Sequence, residues 1–153
     1  MTPDQTRRDT YELGLTMRRK VLGEAHVSRS LDNVSDFGRP IQDMVTEYCW
    51  GVVWSRDGLD LRTRSLLNLV MLTALNRPHE LAVHVRGALR NGVTVPEIQE
   101  ALMQSAVYVG VPAALESFRI AEKAVGEHKN EIANGEPTGT GSSDQHPEGG
   151  RLA

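Results

Sequence analysis

The sequence predicts an all-α, single-domain helical bundle of about six helices, and three observations carry that prediction. Apolar residues recur at three- and four-residue spacing through most of the chain, helix-opening and helix-closing residues punctuate these stretches, and no segment sustains the alternation of a half-buried strand. A chain of 153 residues is also the size of one ordinary domain with one core.

Thr2-Pro3-Asp4-Gln5 has the form of a capping box with proline at the first helical position, which predicts a first helix to about Leu22. From Gly23 to Arg39 the residues Gly, Asn, Asp and Ser are scattered among His26, Arg29 and Phe37, a pattern that reads as a long ordered loop. Pro40 opens a helix in which Ile41, Met44, Val45, Tyr48 and Val52 share one face, with Glu47, Gly51 and Trp54 along a neighbouring flank. Ser55-Arg56-Asp57-Gly58 ends it as a turn. Asp60 caps a central helix whose Leu66, Leu67, Leu69, Val70, Met71, Leu72 and Leu75 are apolar nearly all round.

Pro78 opens a further helix with Leu81, Val85, Ala88 and Leu89 on one face, and Asn91-Gly92 closes it. Thr94-Val95-Pro96-Glu97 is a second capping box, opening a helix with Ile98, Ala101, Leu102, Ser105 and Ala106 inward. Gly110-Val111-Pro112 separates it from a last helix carrying Leu115, Phe118, Ala121 and Val125. The domain is expected to span residues 1–129. Residues 130–153 are rich in Gly, Ser, Thr, Pro and acidic side chains, with almost nothing apolar before Leu152, and are expected to be a disordered tail.

Composition narrows the function. Net charge is −3 and no basic block exceeds Arg18-Arg19-Lys20, so there is no electrostatic footprint for nucleic acid. Cys49 is the only cysteine, which excludes an intrachain disulfide and any CxxC redox or zinc pair. The longest apolar run, Leu66 to Leu75, is about half of the ~20 residues a membrane span needs, and the N-terminus lacks the apolar core of a signal peptide. A cytoplasmic protein is expected, with small molecules and copies of itself as partners.

Four groups of side chains carry potential chemistry. His84 lies among Leu81, Val85 and Ala88 at helical spacing, so its ring points inward; it is either a satisfied core histidine or an acid–base group, with Glu80 one turn away to orient it. His79 and His84 invite a zinc reading, but five residues rotate the second imidazole by roughly 140° around a helix, away from the first; no metal site is expected. Glu47, Tyr48, Trp50, Trp54, Ser55 and Arg56 cluster within three turns, reading either as a packing surface or as a site. Arg62 and Arg64 oppose the dipole at the start of the central helix, which requires either acidic partners or a bound anion.

Taken in order, these motifs resemble the carboxymuconolactone decarboxylase family. The resemblance spans Tyr11 to about Val125 and is carried by Val21-Leu22-Gly23 with His26-Val27-Ser28-Arg29-Ser30, Glu47-Tyr48-Cys49-Trp50-Gly51, Val53-Trp54-Ser55-Arg56, Arg62-Thr63-Arg64-Ser65-Leu66, His84-Val85-Arg86, Asn91-Gly92-Val93-Thr94 and Tyr108-Val109-Gly110-Val111-Pro112. It implies an alkylhydroperoxidase-like helical fold. The peroxidases of that superfamily use a glutamate, a CxxC pair and a histidine; counted back from His84, those positions hold Ser65, Arg77 and Glu80, so no thiol cycle is available.

What the resemblance implies instead is a cofactor-independent carboxy-lyase of the protocatechuate branch of the 3-oxoadipate pathway, converting 4-carboxymuconolactone to an enol-lactone and carbon dioxide. It further implies His84 as general acid or enolate donor with Glu47 as its partner. Arg29, Arg56 and Arg64, with His26, would contact the carboxylates, Trp50 and Trp54 would form an apolar wall, and the subunits would assemble as a hexamer.

Overall fold

The computed structural model describes residues 2–135, and among them it forms seven α-helices and one π-helical segment with no strand. Helix α1 (Pro3–Leu22) starts where Thr2 Oγ1 accepts a hydrogen bond from the Gln5 amide at 3.3 Å, as the sequence predicts. It ends at Gly23, whose φ of +90° breaks the helix at one residue, a conformation that only glycine adopts cheaply.

The expected loop from Gly23 to Arg39 is in large part a helix, α2 (Glu24–Asp32). Gly23 precedes it and Asn33, Ser35 and Gly38 follow it, while Ser28 and Ser30 inside it bond to the Glu24 carboxylate and the His26 carbonyl, and Val27 buries completely. Helix α3 (Arg39–Met44) then passes directly into the π-segment (Val45–Trp54). The i→i+5 hydrogen bonding of a π-helix rotates side chains away from their α-helical positions. Most of the expected face lies outward: Ile41 and Met44 on α3 and Tyr48 and Val52 on the π-segment are exposed, Val45 is partly buried, and Thr46, Trp50, Gly51 and Trp54 are buried.

Backbone proximity explains why this segment packs so closely on α1. A Cβ on Gly51 would collide with the Thr10 carbonyl oxygen, and one on Gly14 with that of Thr46. Only two glycines facing one another let the helices approach so closely.

Helices α4 (Leu61–Ala74), α5 (Pro78–Arg90), α6 (Val95–Val109) and α7 (Val111–Ala133) complete the bundle. Asp60 caps α4 through the Thr63 amide, and Thr94 with Glu97 forms the predicted capping box on α6. One cluster joins Leu69, Leu81, Val85, Leu102, Ala121 and their neighbours across α4 to α7. A second joins Val21, Leu22, Val27, Trp50, Trp54 and Val83 across α1, α2, the π-segment and α5. Helix α5 thus contributes to both.

Two expected faces differ. Helix α4 is not buried all round, since Leu67, Met71 and Leu75 form an exposed apolar stripe. On α7 the buried line is Ala114, Ser117, Ala121, Ala124 and His128, leaving Leu115 outside. The helix also runs four residues past the expected boundary at 129, because Glu131 is tied to Arg90 on α5 by an ion pair of 2.8 Å. The remainder of the expected tail, residues 136–153, lies outside the described residues. Among the described residues no helix is long and apolar enough to cross a membrane.

Candidate active site

Three aromatic rings meet where the π-segment faces α5. Trp50 and Trp54 lie 4.9 Å apart between ring centroids, and the His84 imidazole lies 6.2 Å from the first and 6.1 Å from the second, nearly parallel to both. The tryptophans are buried within a single chain, at 4 % and 8 % exposure, so they do not need a second subunit to cover them. The i, i+4 spacing of Trp50 and Trp54 places both on one side of the π-segment, and Val83 fills the space beside them.

His84 has one polar partner that sequence reasoning missed. The Asn68 side-chain nitrogen on α4 lies 3.4 Å from His84 Nδ1. With the amide nitrogen turned to the ring, Nδ1 accepts and the ring proton is on Nε2; with the amide oxygen turned to it, Nδ1–H donates, so the donor and acceptor roles follow the tautomer. The signal was present in the sequence, since Asn68 is one of the two polar residues, with Thr73, that break the apolar run of α4.

Burial pushes the His84 pKa down to about 4, the nearby His26 adds to the effect, and Glu80 opposes it weakly. His84 is therefore neutral near pH 7, presenting an N–H donor instead of a stored proton. Glu80 itself is exposed and does not hold the ring.

Glu47 does not occupy the position expected of a partner to His84. It accepts a hydrogen bond from Arg7 Nε at 2.8 Å, joining the π-segment to the start of α1. Arg64 is likewise engaged in the backbone: its Nε donates to the Leu59 carbonyl at 3.2 Å and a terminal nitrogen to that of Arg56 at 2.9 Å, which fixes the turn before α4. Arg56 is exposed beside that turn. Arg62 is satisfied by the Gly92 carbonyl and the Glu97 carboxylate, so the dipole opposition noted in the sequence is met by an acidic partner.

His26 and Arg29 lie together, in a cleft of about 360 Å³ walled by α2, α5 and α7. The His26 pKa is lowered, by burial first and then by the positive charges of Arg86, Arg18 and Arg29, with His79 adding a smaller effect. Leu22 and Val83 line this cleft and belong to the same apolar cluster as Trp50 and Trp54, so cleft and ring cluster are contiguous.

Arg18 is a second residue that sequence reasoning passed over. It is 6 % exposed, donates to Thr46 Oγ1 at 3.0 Å and to Gln42 Oε1 at 2.9 Å, and has no carboxylate partner among the described residues. Desolvation lowers its pKa, and its charge reaches His26.

A family model for the carboxymuconolactone decarboxylase family matches residues 39–123, from α3 into α7. The chain is 43% identical over 113 residues to a 4-carboxymuconolactone decarboxylase of Acinetobacter baylyi, covering 74% of this chain and 84% of that protein. It is 40% identical over 126 residues to a nitrosuccinic acid decarboxylase of Metarhizium robertsii, covering 82% and 88%. A 4-carboxymuconolactone decarboxylase of Pseudomonas putida is 44% identical over 41 residues, covering 27% of this chain and 85% of that sequence.

Proposed function

The chain belongs to the carboxymuconolactone decarboxylase family, and from that premise we propose that it is a carboxy-lyase converting 4-carboxymuconolactone to 3-oxoadipate enol-lactone and carbon dioxide. The observation that carries the site assignment is the neutral His84, held by Asn68 with its rings stacked on Trp50 and Trp54.

The reaction needs an electron sink, and the substrate contains one. The bond between the ring carbon and the departing carboxylate breaks, and its electron pair passes through the ring double bond to the lactone carbonyl, giving a dienolate. A proton from water then adds to the ring carbon next to the carbonyl, completing the exchange of carbon dioxide for hydrogen. His84, as a neutral N–H donor, stabilises the developing enolate oxygen by a hydrogen bond and keeps its own proton. The tryptophan wall disfavours the ionised carboxylate more than neutral carbon dioxide, which favours departure.

This reading drops the proposed Glu47 to His84 coupling and moves Arg56 and Arg64 from substrate contact to shaping the turn before α4. Arg29 and His26 remain as carboxylate contacts.

A second reading follows from the Metarhizium relative, whose name specifies nitrosuccinic acid. In that compound and in 4-carboxymuconolactone alike, the carbon that loses carbon dioxide also bears a CH2–COO⁻ group and adjoins an electron sink, a nitro group in one and an unsaturated lactone in the other. Both readings share one reaction class. Purified protein supplied with enzymatically generated 4-carboxymuconolactone, with and without chelator, and separately with 2-nitrosuccinate, distinguishes them by carbon dioxide release and ultraviolet absorbance. Release from the lactone alone supports the first reading, and release from neither overturns both.

The same reading makes the protein a cytoplasmic homo-oligomer, with the hexamer of the family resemblance as the expected state. Support comes from the apolar surface left open on one chain: Leu67, Met71 and Leu75 on α4, with Met103, Val107 and Tyr108 on α6. Light scattering at micromolar concentration tests it, and a mass equal to one chain removes it.

A further inference from the structure

The cleft between α2, α5 and α7 holds more positive charge than the sequence motifs mark out. Beside His26 and Arg29 it is lined by Arg86 and Arg90 from α5 and by His128 from α7, with Glu24 and Glu131 as its acidic groups. The two α5 arginines are set by neighbours: Arg86 pairs with Glu127 at 2.8 Å, and Arg90 with Glu131 at 2.8 Å while also donating to the Leu22 carbonyl. Arg29 has no acidic partner among the described residues. His128 is 7 % exposed, and its Nδ1 makes no hydrogen bond, lying 3.6 Å from Glu131.

Resting on the decarboxylase reading, we propose that this cleft is the pocket for the carboxylate that the substrate keeps, with Arg29 and Arg86 as its cationic contacts and His26 and His128 as polar walls. The ligand class is a succinate bearing an electron sink on the carbon that loses carbon dioxide. The retained CH2–COO⁻ group enters the cleft, and the carbon to be decarboxylated is thereby directed toward the contiguous apolar cluster of Val83, Trp50 and Trp54. Neither Arg86 nor His128 is distinguished by any of the sequence motifs as a ligand contact. Charge complementarity supports the anion, since Arg29, exposed at the cleft and without an acidic partner among the described residues, is available to a ligand carboxylate, and the cleft volume is within the range of small-molecule sites.

The His26 and His128 titrations supply a readout that needs no turnover. Both pKa values are lowered in the free protein, His26 by burial and by Arg86, Arg18 and Arg29, and His128 by burial and by Arg90 and Arg86 against the opposing Glu131. A carboxylate arriving beside them raises both.

Succinate, which has the retained group but no electron sink, is the probe, titrated into isotopically histidine-labelled full-length protein and followed by NMR. The expected result is saturable shifts of both imidazoles with their titrations moved to higher pH. Arg29→Gln should weaken binding by about 10-fold to 100-fold, as loss of one charge-assisted contact does, whereas Arg119→Gln, outside the cleft, should not. With 4-carboxymuconolactone the same Arg29→Gln change should raise KM with little change in kcat, the signature of binding energy used equally in ground and transition states. Succinate that inhibits turnover without moving either imidazole, or succinate that neither inhibits nor moves them, overturns the proposal. An unchanged KM in Arg29→Gln and Arg86→Gln also overturns it. If succinate binds as described and the protein releases no carbon dioxide from any candidate, the pocket stands and the decarboxylase reading falls.

Discussion

Lowering the pH should weaken the fold through His84 in a way that can be isolated and sized. In the unfolded chain this imidazole titrates near its ordinary 6.5, whereas in the folded protein burial holds it down to about 4. As pH falls below 6.5 the unfolded state takes up a proton that the folded state refuses, so stability is full above that value and is lost progressively down to about 4, with no further loss below. At roughly 1.36 kcal/mol per pH unit, the gap corresponds to a maximum loss of about 3 kcal/mol. The assay is urea unfolding of wild type and His84→Gln at pH 7 and at pH 4, at one protein concentration because assembly would contribute. Glutamine keeps a similar volume and a polar end but does not titrate. Wild type should lose about 3 kcal/mol more than the variant over this interval, a difference that includes the coupling of His84 to His26. Equal losses would show that His84 is not held neutral by its surroundings, and the neutral-donor role would fall with it. The same variant, folded at pH 7, should turn over roughly 10²-fold to 10⁴-fold more slowly.

Asn68→Leu should leave the fold intact but release the His84 tautomer, lowering kcat by about 10-fold and shifting the balance of Nδ1–H and Nε2–H in ¹⁵N spectra; an unchanged tautomer ratio would refute the assigned hydrogen bond. Gly51→Ala places a Cβ against the Thr10 carbonyl and should cost about 3 kcal/mol or more, read as a fall in the urea midpoint. Ending the chain after Gly135 should leave melting temperature and turnover nearly unchanged, whereas ending it after Lys129 removes Glu131 from Arg90 and should cost about 1–3 kcal/mol. A comparable loss in both truncations would show that residues beyond Gly135 contribute to packing.

How much was legible depended on whether the determining interaction was local. Caps at Thr2, Asp60 and Thr94 are settled within four residues, and each was read correctly. The loop prediction for Gly23 to Arg39 failed because glycine and asparagine mark boundaries as readily as irregular chain, and only the burial of Val27 decides between them. The π-segment was invisible because the apolar pattern of Ile41 to Val52 fits an α-helix on its own, while the winding is associated with a close crossing of Gly14 and Gly51 that lie far apart in sequence. At the site, His84 and the two tryptophans were found by spacing and composition. Their arrangement was not, since which carboxylate or amide reaches an imidazole is a property of three helices together: Glu47 pairs with Arg7, and Asn68 takes the place it was expected to fill.

The environment of the two ends of the site bears on which carboxylate is lost. A di-acid offers two, and the chemistry alone favours the one next to the electron sink. The protein can reinforce that choice by solvating the two unequally, because a carboxylate against arginine is stabilised as an anion while one against indole is not. Helix α5 provides both surfaces: Arg86 is directed to the cleft, and His84, two residues earlier and so about 200° around the helix, is directed to the rings. Val83 joins the two environments, lining the cleft and packing in the ring cluster. Exchange of Val83 for a charged residue would therefore erase the contrast on which selection depends, whereas exchange of Arg29 would weaken the grip on the retained group and leave the contrast in place. That difference separates a catalytic environment from a binding contact on a single helix pair.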